Sequence, residues 1–478
     1  LDWQREADGF DEIFQQEGEA RAHYQALVSI LSGIDEREIA RRERLQRLSL
    51  LNQGITFAVY GDRQGTERVF PFDFVPRIVS APEWKRVEEG LIQRVTAINL
   101  FLRDVYTEQR CLREGVIPWE LVLSRKEFKR ELMGVLPPRS VYTHVVGTDL
   151  IRDEDGDFCV LEDNARCPSG VSYVLENRNL LNRSFPELFS AYPVRPVEGY
   201  PRLLLDTLQF VSPRSEGSRQ AVVLTPGIYN SAYFEHSFLA REMGVPLVEG
   251  WDLVVDSNHV FMRTTEGLRR VDVIYRRVDD DFLDPLAFRR DSTLGVPGLI
   301  NAYRGGNVAI ANAPGAGVAD DKASYAFLPD LIRFYLDEEP MLKQIPTYVG
   351  MRPDDFAYMI DHLPELVVKT TGGSGGYGML MGPFASRDEI AAYRERMQES
   401  PSDYIAQPLI KLSAHGTWID HAFRPRRVDL RPFILYGDRV RVLPGGLTRV
   451  ALREGSFVVN SSQGGGSKDT WVLEARED

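Results

Sequence analysis

Residues 141–170 read VYTHVVGTDLIRDEDGDFCVLEDNARCPSG, two β-rich runs on either side of Asp155-Gly156. An Asp-Gly pair in that setting is the strongest short-range signal for a two-residue hairpin turn. Such a turn sets Glu154 opposite Asp157 and, further along, Asp149 opposite Glu162. Side chains alternate faces along a strand. Gly147, Asp149 and Ile151 are therefore expected to share one face with Val160, Glu162 and Asn164, while Asp163 and Cys159 point the other way. Opposed side chains lie about 4.5–5.5 Å apart, and like charges there repel, by about 3 kcal/mol at an effective dielectric of 20. A cation between Asp149 and Glu162 would remove that cost.

All three candidate ligands, Asp149, Glu162 and Asn164, offer oxygen, and no imidazole or thiolate falls in register with them. That donor set suits Mg²⁺ or Mn²⁺ better than Zn²⁺. Gly147, opposite Asn164, is expected to leave room for a ligand. An isolated DEDG turn reads first as a solvated acidic hairpin, but here the acids sit beyond the turn. An EF-hand fails because Phe158 stands where that loop needs glycine and Asn164 where it needs glutamate.

Outward from the hairpin, 478 residues with 43% hydrophobic content imply buried cores and two to four domains. A net charge of −13 argues against a nucleic-acid or anionic-membrane surface. No apolar run reaches the length of a membrane span, and residues 1–30 are acidic and amphipathic, unlike a secretory signal. The chain starts at Leu1, so residues upstream of it are expected. Cys111, Cys159 and Cys167 form no even framework and no CxxC pair, which favours a reducing compartment, the cytoplasm. Cys159 is read as packing.

Residues 1–58 read as charged helices ending in the strand-like ITFAVY. Ser80-Ala-Pro-Glu83 is a capping box with proline in the first turn, opening a long helix whose apolar stripe runs from Val87 to Val105. Residues 171–184 read as a helix. AVVLTPG, SAYFEHSFLAREMG and VPLVEGWDLVV then alternate strand, helix and strand, a βαβ unit without a GxGxxG turn. VDVIY is a further strand, followed by Arg276-Arg277 and the acidic run Asp279–Asp281. A Gly-rich loop precedes Lys322 and a helix interrupted at Pro329.

Residues 365–382, ELVVKTTGGSGGYGMLMG, carry a second chemical signature. A strand ends on Lys369, the glycine run Gly372, Gly373, Ser374, Gly375 and Gly376 follows, and an apolar strand resumes. No helix follows as a dinucleotide fingerprint requires, and no GK[ST] follows as a P-loop requires. The pattern left is a β-loop-β flap whose backbone N–H groups cover phosphates, or a flexible hairpin without a ligand. In DLRPFIL, Asp429 and Arg431 share a face by the strand period; PGGLTRVAL supplies Arg449, and a second Gly-rich loop ends on Lys468. Two arginines, lysines beside glycine loops and a carboxylate cluster together describe a polyphosphate site.

These residues resemble the ATP-grasp ligases, in which a pattern like GxDx…LExNxxP holds magnesium; Gly147, Asp149, Glu162, Asn164 and Pro168 match it. The resemblance implies that Lys322 and Lys369 contact phosphates, that Gln407 meets the adenine edge, and that Arg431 and Arg449 steady the transferring phosphoryl group. The metal motif precedes the βαβ unit and the flap here, so the order is circularly permuted. Nearly the whole chain resembles the bacterial circularly permuted ATP-grasp type 2 proteins, through TPGIYNSAYFEHSFLAREMG, YRRVDDDFLDP and VNSSQGGGSKDTW. A weaker likeness links it to the synthetase domain of glutathionylspermidine synthase, which has an arginine where Gly147 stands.

The expected fold is therefore a mixed α/β (α+β) permuted ATP-grasp. Its divisions are an N-terminal helical region (1–140), the metal hairpin (141–184), a βαβ pre-ATP-grasp-like domain (185–320) and nucleotide-binding subdomains with the flap (321–478). The expected activity is ATP- and Mg²⁺-dependent ligation of a small-molecule or peptide carboxylate to an amine. A non-catalytic nucleotide-binding scaffold is the alternative. A third reading is a metal-dependent hydrolase that uses no nucleotide.

Overall fold

The hairpin forms as Val145–Arg152 and Phe158–Asn164 and lies inside the largest sheet of a computed structural model. The residues described are 3–6, 9–58, 67–214, 217, 219–372, 379–455, 459 and 465–475. That sheet has ten strands. Its main path runs Lys343–Gln344, the two hairpin strands, Ala422–Arg431, Leu447–Val450, Gly466–Val472 and Phe72–Val79. Phe433–Tyr436 also pairs with the first hairpin strand, placing Phe433 opposite Gly147.

The pairing Asp149–Glu162 is as expected, but the turn is not. Asp153 and Asp157 close a three-residue loop, with the Asp157 carbonyl accepting from the Asp153 N–H at 3.0 Å and the Asp153 carbonyl accepting from Gly156 N–H at 3.1 Å. Gly156 has φ +87°, and a Cβ there would strike the Phe10 ring. This shifts the register by one near the turn, so Ile151 faces Cys159 and Leu150 faces Val160. A bulge at Leu161 then restores Asp149 opposite Glu162, Thr148 opposite Asp163 and Gly147 opposite Asn164. The expected faces are thus corrected in the half nearer the turn. Cys159 shares the acid-side face with Ile151 in one apolar cluster, and Val160 joins Leu150 on the other face. Cys159 packs as expected, and burial pushes its thiol up to about 12.

Helix Ala81–Tyr106 starts on the capping box of Ser80 and Glu83. Its first half lays Trp84, Val87, Leu91 and Val95 against Val146, Leu150 and Val160. Its second half lays Ile98, Leu102 and Val105 against a separate core with Val222 and Ile274. Asp163, which points away from Asp149, meets Arg94 of this helix at 2.6 Å with both groups buried. The helix therefore ties the hairpin to the second sheet.

That second sheet is parallel, in the order Ala309–Ala311, Val273–Arg276, Ala221–Leu224 and Leu247–Val248. Helix Tyr233–Met243 completes the expected βαβ crossover. The stretch VPLVEGWDLVV is not one strand. Gly250 lies where a Cβ would come within 2.5 Å of the Leu294 and Gly295 carbonyls, and the chain turns there into a three-stranded meander starting at Leu253–Asp256. The flap region forms a four-stranded antiparallel sheet of Tyr348–Val349, Tyr404–Pro408, Leu366–Thr370 and Leu380–Met381. Near Pro329 the chain makes two helices, Lys322–Ala326 and Leu328–Leu336.

Candidate functional site

Asp149 is 1% exposed and is the centre of an arginine cluster. Arg431 donates to it through Nε at 2.5 Å and Nη2 at 2.7 Å, and Arg449 through Nη2 at 2.6 Å. Arg449 faces Asp429 across the strand pair and donates to it from Nε at 3.0 Å. Burial alone would raise the Asp149 carboxyl; the Arg431 and Arg449 guanidinia outweigh it and hold the group well below the usual carboxylate range. For Asp429, burial prevails over Arg449 and the carboxyl is raised. The repulsion expected between Asp149 and Glu162 is thus offset by guanidinium groups of this chain.

Gly147 does not open space for a ligand, because a Cβ there would stand 3.1 Å from Pro168 Cβ and 3.3 Å from Arg431 Cδ. The missing side chain makes room for Arg431. Glu162 is half-buried and lies 3.9 Å from Arg431 Nη2. Asn164 donates its amide to the Gly147 carbonyl at 3.2 Å, which leaves its Oδ1 for another partner. Among the described residues no three histidine, cysteine or acidic side chains converge on one point.

Beside this cluster Glu162, Lys322, Lys369 and Gln407 line one open pocket, together with Asp320 and Tyr325. Four segments supply them. Lys369 donates to Gln407 Oε1 at 2.8 Å, and Gln407 donates to Thr347 Oγ1 at 3.0 Å. Burial lowers the Lys369 ammonium below its ordinary value, while Glu162 works against that. Lys322 opens its helix behind the cap Asp321, and its N–H donates to the Thr371 carbonyl.

Gly372 lies at the end of the Leu366–Thr370 strand; Gly373, Ser374, Gly375 and Gly376 lie outside the described residues. Lys468 is not at this pocket. It pairs with Thr448, so it projects from the sheet face opposite Arg449 and Ser467. There it is wholly buried in an ion pair with Asp73 and donates to the Gly416 carbonyl at 3.0 Å. Its glycine neighbours suggested a phosphate loop, whereas its partner comes from far away in the chain. Asp320, which accepts from the Ala165 and Arg166 N–H groups, was missed; the acids just before Lys322 were the available signal.

A parallel βαβ sheet, a flap sheet and an acid-arginine site on a central mixed sheet define the ATP-grasp class. The chain belongs to the circularly permuted ATP-grasp type 2 family, whose description matches residues 76–451. An uncharacterised Synechocystis protein is 53% identical over 466 residues, 97% of each chain. A Mycobacterium tuberculosis protein, also uncharacterised, is 52% identical over 98% of this chain and 85% of its own. A Frankia casuarinae protein provisionally named glutamate–cysteine ligase 2-2 is 42% identical over 97% of this chain, which spans 54% of that protein. Among solved structures, a glutathione synthetase-like effector from Globodera pallida matches 92% of this chain and 98% of its own with a TM-score of 0.61. At 12% identity this is likeness of fold alone. No helix among the described residues is long and apolar enough to cross a membrane.

Proposed function

We propose that the protein is an ATP- and Mg²⁺-dependent ligase that joins a small-molecule or peptide carboxylate to an amine through an acyl phosphate. The observation that carries this is the meeting of Glu162, Lys322, Lys369 and Gln407 around one pocket beside the Asp149 arginine cluster. The oxygen donors fit a hard cation. Glu162 has oxygens only loosely held, Asn164 has its amide oxygen to spare, and Asp149 retains acceptor capacity beyond its two arginines. Asp149, Glu162 and Asn164 would hold Mg²⁺, or Mn²⁺ in its place. When bound, such an ion neutralises phosphate charge and acts as a Lewis acid.

Lys322 and Lys369 bring two positive charges to the phosphates. Gln407 orients the purine side of the pocket. Arg431 and Arg449 are held in place by Asp149 and Asp429, so they are preorganised for charge that develops on the transferring group. The substrate carboxylate oxygen bonds to the γ-phosphorus as the bond to ADP breaks. The amine then attacks the acyl carbon, phosphate leaves, and the nitrogen loses a proton. The three free cysteines suit a cytoplasmic setting. The Frankia protein's name agrees with ligation, but it assigns no substrate here because this chain matches only about half of that protein.

Titration with Mg²⁺-ATP by calorimetry, followed by an acid screen with hydroxylamine, tests the reading. Hydroxamate and ADP should form in equal amounts. ADP without hydroxamate or amide, across a broad acid and amine screen, overturns it. A non-catalytic nucleotide-binding scaffold draws on one observation, that both guanidinia are already paired with carboxylates. It requires Mg²⁺-ATP binding with no turnover.

A further inference from the structure

In space the parallel sheet runs Leu247–Val248, Ala221–Leu224, Val273–Arg276, Ala309–Ala311. In chain order these are the second, first, third and fourth strands. The connections therefore leave the first strand towards opposite edges, and the sheet has a switch point between its first and third strands. In open parallel sheets ligands bind beyond the carboxyl ends of the strands at such a point. Here the segment from Thr225 to Ala232 leaves the first strand and Arg277 leaves the third, with Arg277 N–H donating to the Leu224 carbonyl at 2.8 Å.

Arg277 is 6% exposed. It donates to Tyr275 Oη at 3.1 Å and to the Ser169 hydroxyl, and its Nε has no hydrogen-bond partner among the described residues. The buried Tyr200 hydroxyl also has none, and Tyr200 packs in the same core cluster as Tyr275, to which Arg277 donates. Arg277 Nη2 also donates to Glu235 Oε1 at 3.5 Å. Glu235 Oε2 is taken up by Gly170 N–H at 2.7 Å, Ser172 N–H at 3.1 Å and Ser172 Oγ at 2.9 Å, which caps helix Val171–Ser184. Two buried donors in one neighbourhood, Arg277 Nε and the Tyr200 hydroxyl, have nothing to donate to and call for an acceptor, and the Glu235 carboxylate, which takes Arg277 Nη2, satisfies neither of them. Ser169 joins this neighbourhood to the Asp149 arginine cluster, because its carbonyl accepts from Arg431 Nη1 at 3.4 Å while its hydroxyl accepts from Arg277.

We infer that this neighbourhood anchors a second carboxylate of the acid substrate, with Arg277 Nε and the Tyr200 hydroxyl as donors, while the carboxylate to be phosphorylated lies at Arg431. The inference rests on the ligase reading and names its substrate class: a dicarboxylic acid, or an amino acid joined through its side-chain carboxylate. An acid lacking the second carboxylate leaves both donors unpaired, and sites built around hydrogen bonds discriminate steeply for that reason.

Calorimetric titration of the full chain with glutarate and L-glutamate, against glutaramate and L-glutamine, tests it without nucleotide. Each diacid should bind at least about tenfold tighter than its amide. Tyr200→Phe should weaken diacid binding about three- to tenfold at unchanged Tm, Arg277→Met should erase the preference, and Arg277→Lys should restore part of it. Should Arg277→Met fail to fold, Tyr200→Phe carries the test. Mg²⁺-ATP affinity, titrated separately, should be the same in all variants. Absence of diacid binding to the unsubstituted protein, equal binding of the amides, or full diacid affinity in Tyr200→Phe overturns the inference. Failure of Mg²⁺-ATP to bind would instead sink the ligase reading.

Discussion

The two acids that face each other in the hairpin should respond unequally to loss of charge, and Asp149→Asn shows why. Asp149 is 1% exposed and neutralises two guanidinia at 2.5–2.7 Å. Removing one partner of a buried ion pair costs about 3–5 kcal/mol. Arg449 keeps Asp429, and the Arg431 side chain is 14% exposed, so water relieves part of the loss and the lower end, about 3 kcal/mol, applies. For a domain of ordinary size that corresponds to a fall in Tm of about 6–12 °C. Glu162, with its side chain 32% exposed and its nearest cation 3.9 Å away, should cost less than about 1 kcal/mol as Glu162→Gln. The same change should weaken Mg²⁺-dependent nucleotide binding by about 1–3 kcal/mol. Because the folded Asp149 carboxyl is depressed, its contribution is complete above the unfolded value of about 3.9 and is lost as pH falls through the folded one. Scanning calorimetry at pH 7 therefore measures it in full. Equal Tm values for Asp149→Asn and the unsubstituted protein, or an equal loss in Glu162→Gln, would refute the division of roles.

Lys369→Met should weaken nucleotide binding about tenfold or more with little change in Tm, whereas Lys468→Met, which breaks a buried pair with Asp73, should cost about 3–5 kcal/mol and leave nucleotide affinity in the folded protein intact; calorimetry and thermal scans separate the two. Burial lowers the Lys369 pKa below its ordinary 10.5, so nucleotide affinity should decline as pH rises through the lowered value, and titrations across the alkaline range would show it. Gly147→Ala should press on Pro168 and Arg431, costing about 1–3 kcal/mol and lowering hydroxamate formation more than nucleotide affinity. Burial raises the buried thiols Cys111 and Cys159 to about 12, so Ellman's reagent at pH 8 should label these two only after denaturation; rapid labelling of more than one thiol in the native protein would contradict that environment.

The capping box, the βαβ unit and the acid pair were legible because each is set by residues close in sequence. The facing of Asp149 and Glu162 was nonetheless reached through a turn of the wrong length. A three-residue loop moves the register one way and the Leu161 bulge moves it back, and no local propensity marks that bulge. What could not be read locally was who neutralises whom. Arg431 lies 282 residues from Asp149 and Lys468 lies 395 from Asp73, so the share of the arginines in offsetting the repulsion between Asp149 and Glu162 went unread, and a phosphate ligand was read where an ion pair is buried. Gly147 was read as an opening for the same reason, since the side chain that fills its space arrives from Arg431.

That long separation also sets a timetable. A ribosome adding about 5–20 residues per second needs about 15–60 s to pass from Asp149 to Arg431. During that interval the strand Val145–Arg152 has its hairpin mate, while the edge later taken by Ala422–Arg431 and Phe433–Tyr436 stays unpaired. An uncovered strand edge with a lone buried-type carboxylate is both an aggregation hazard and a brake on premature closure. Early expression yield of truncated chains ending before residue 422 should therefore depend on chaperone supply far more than that of the full chain.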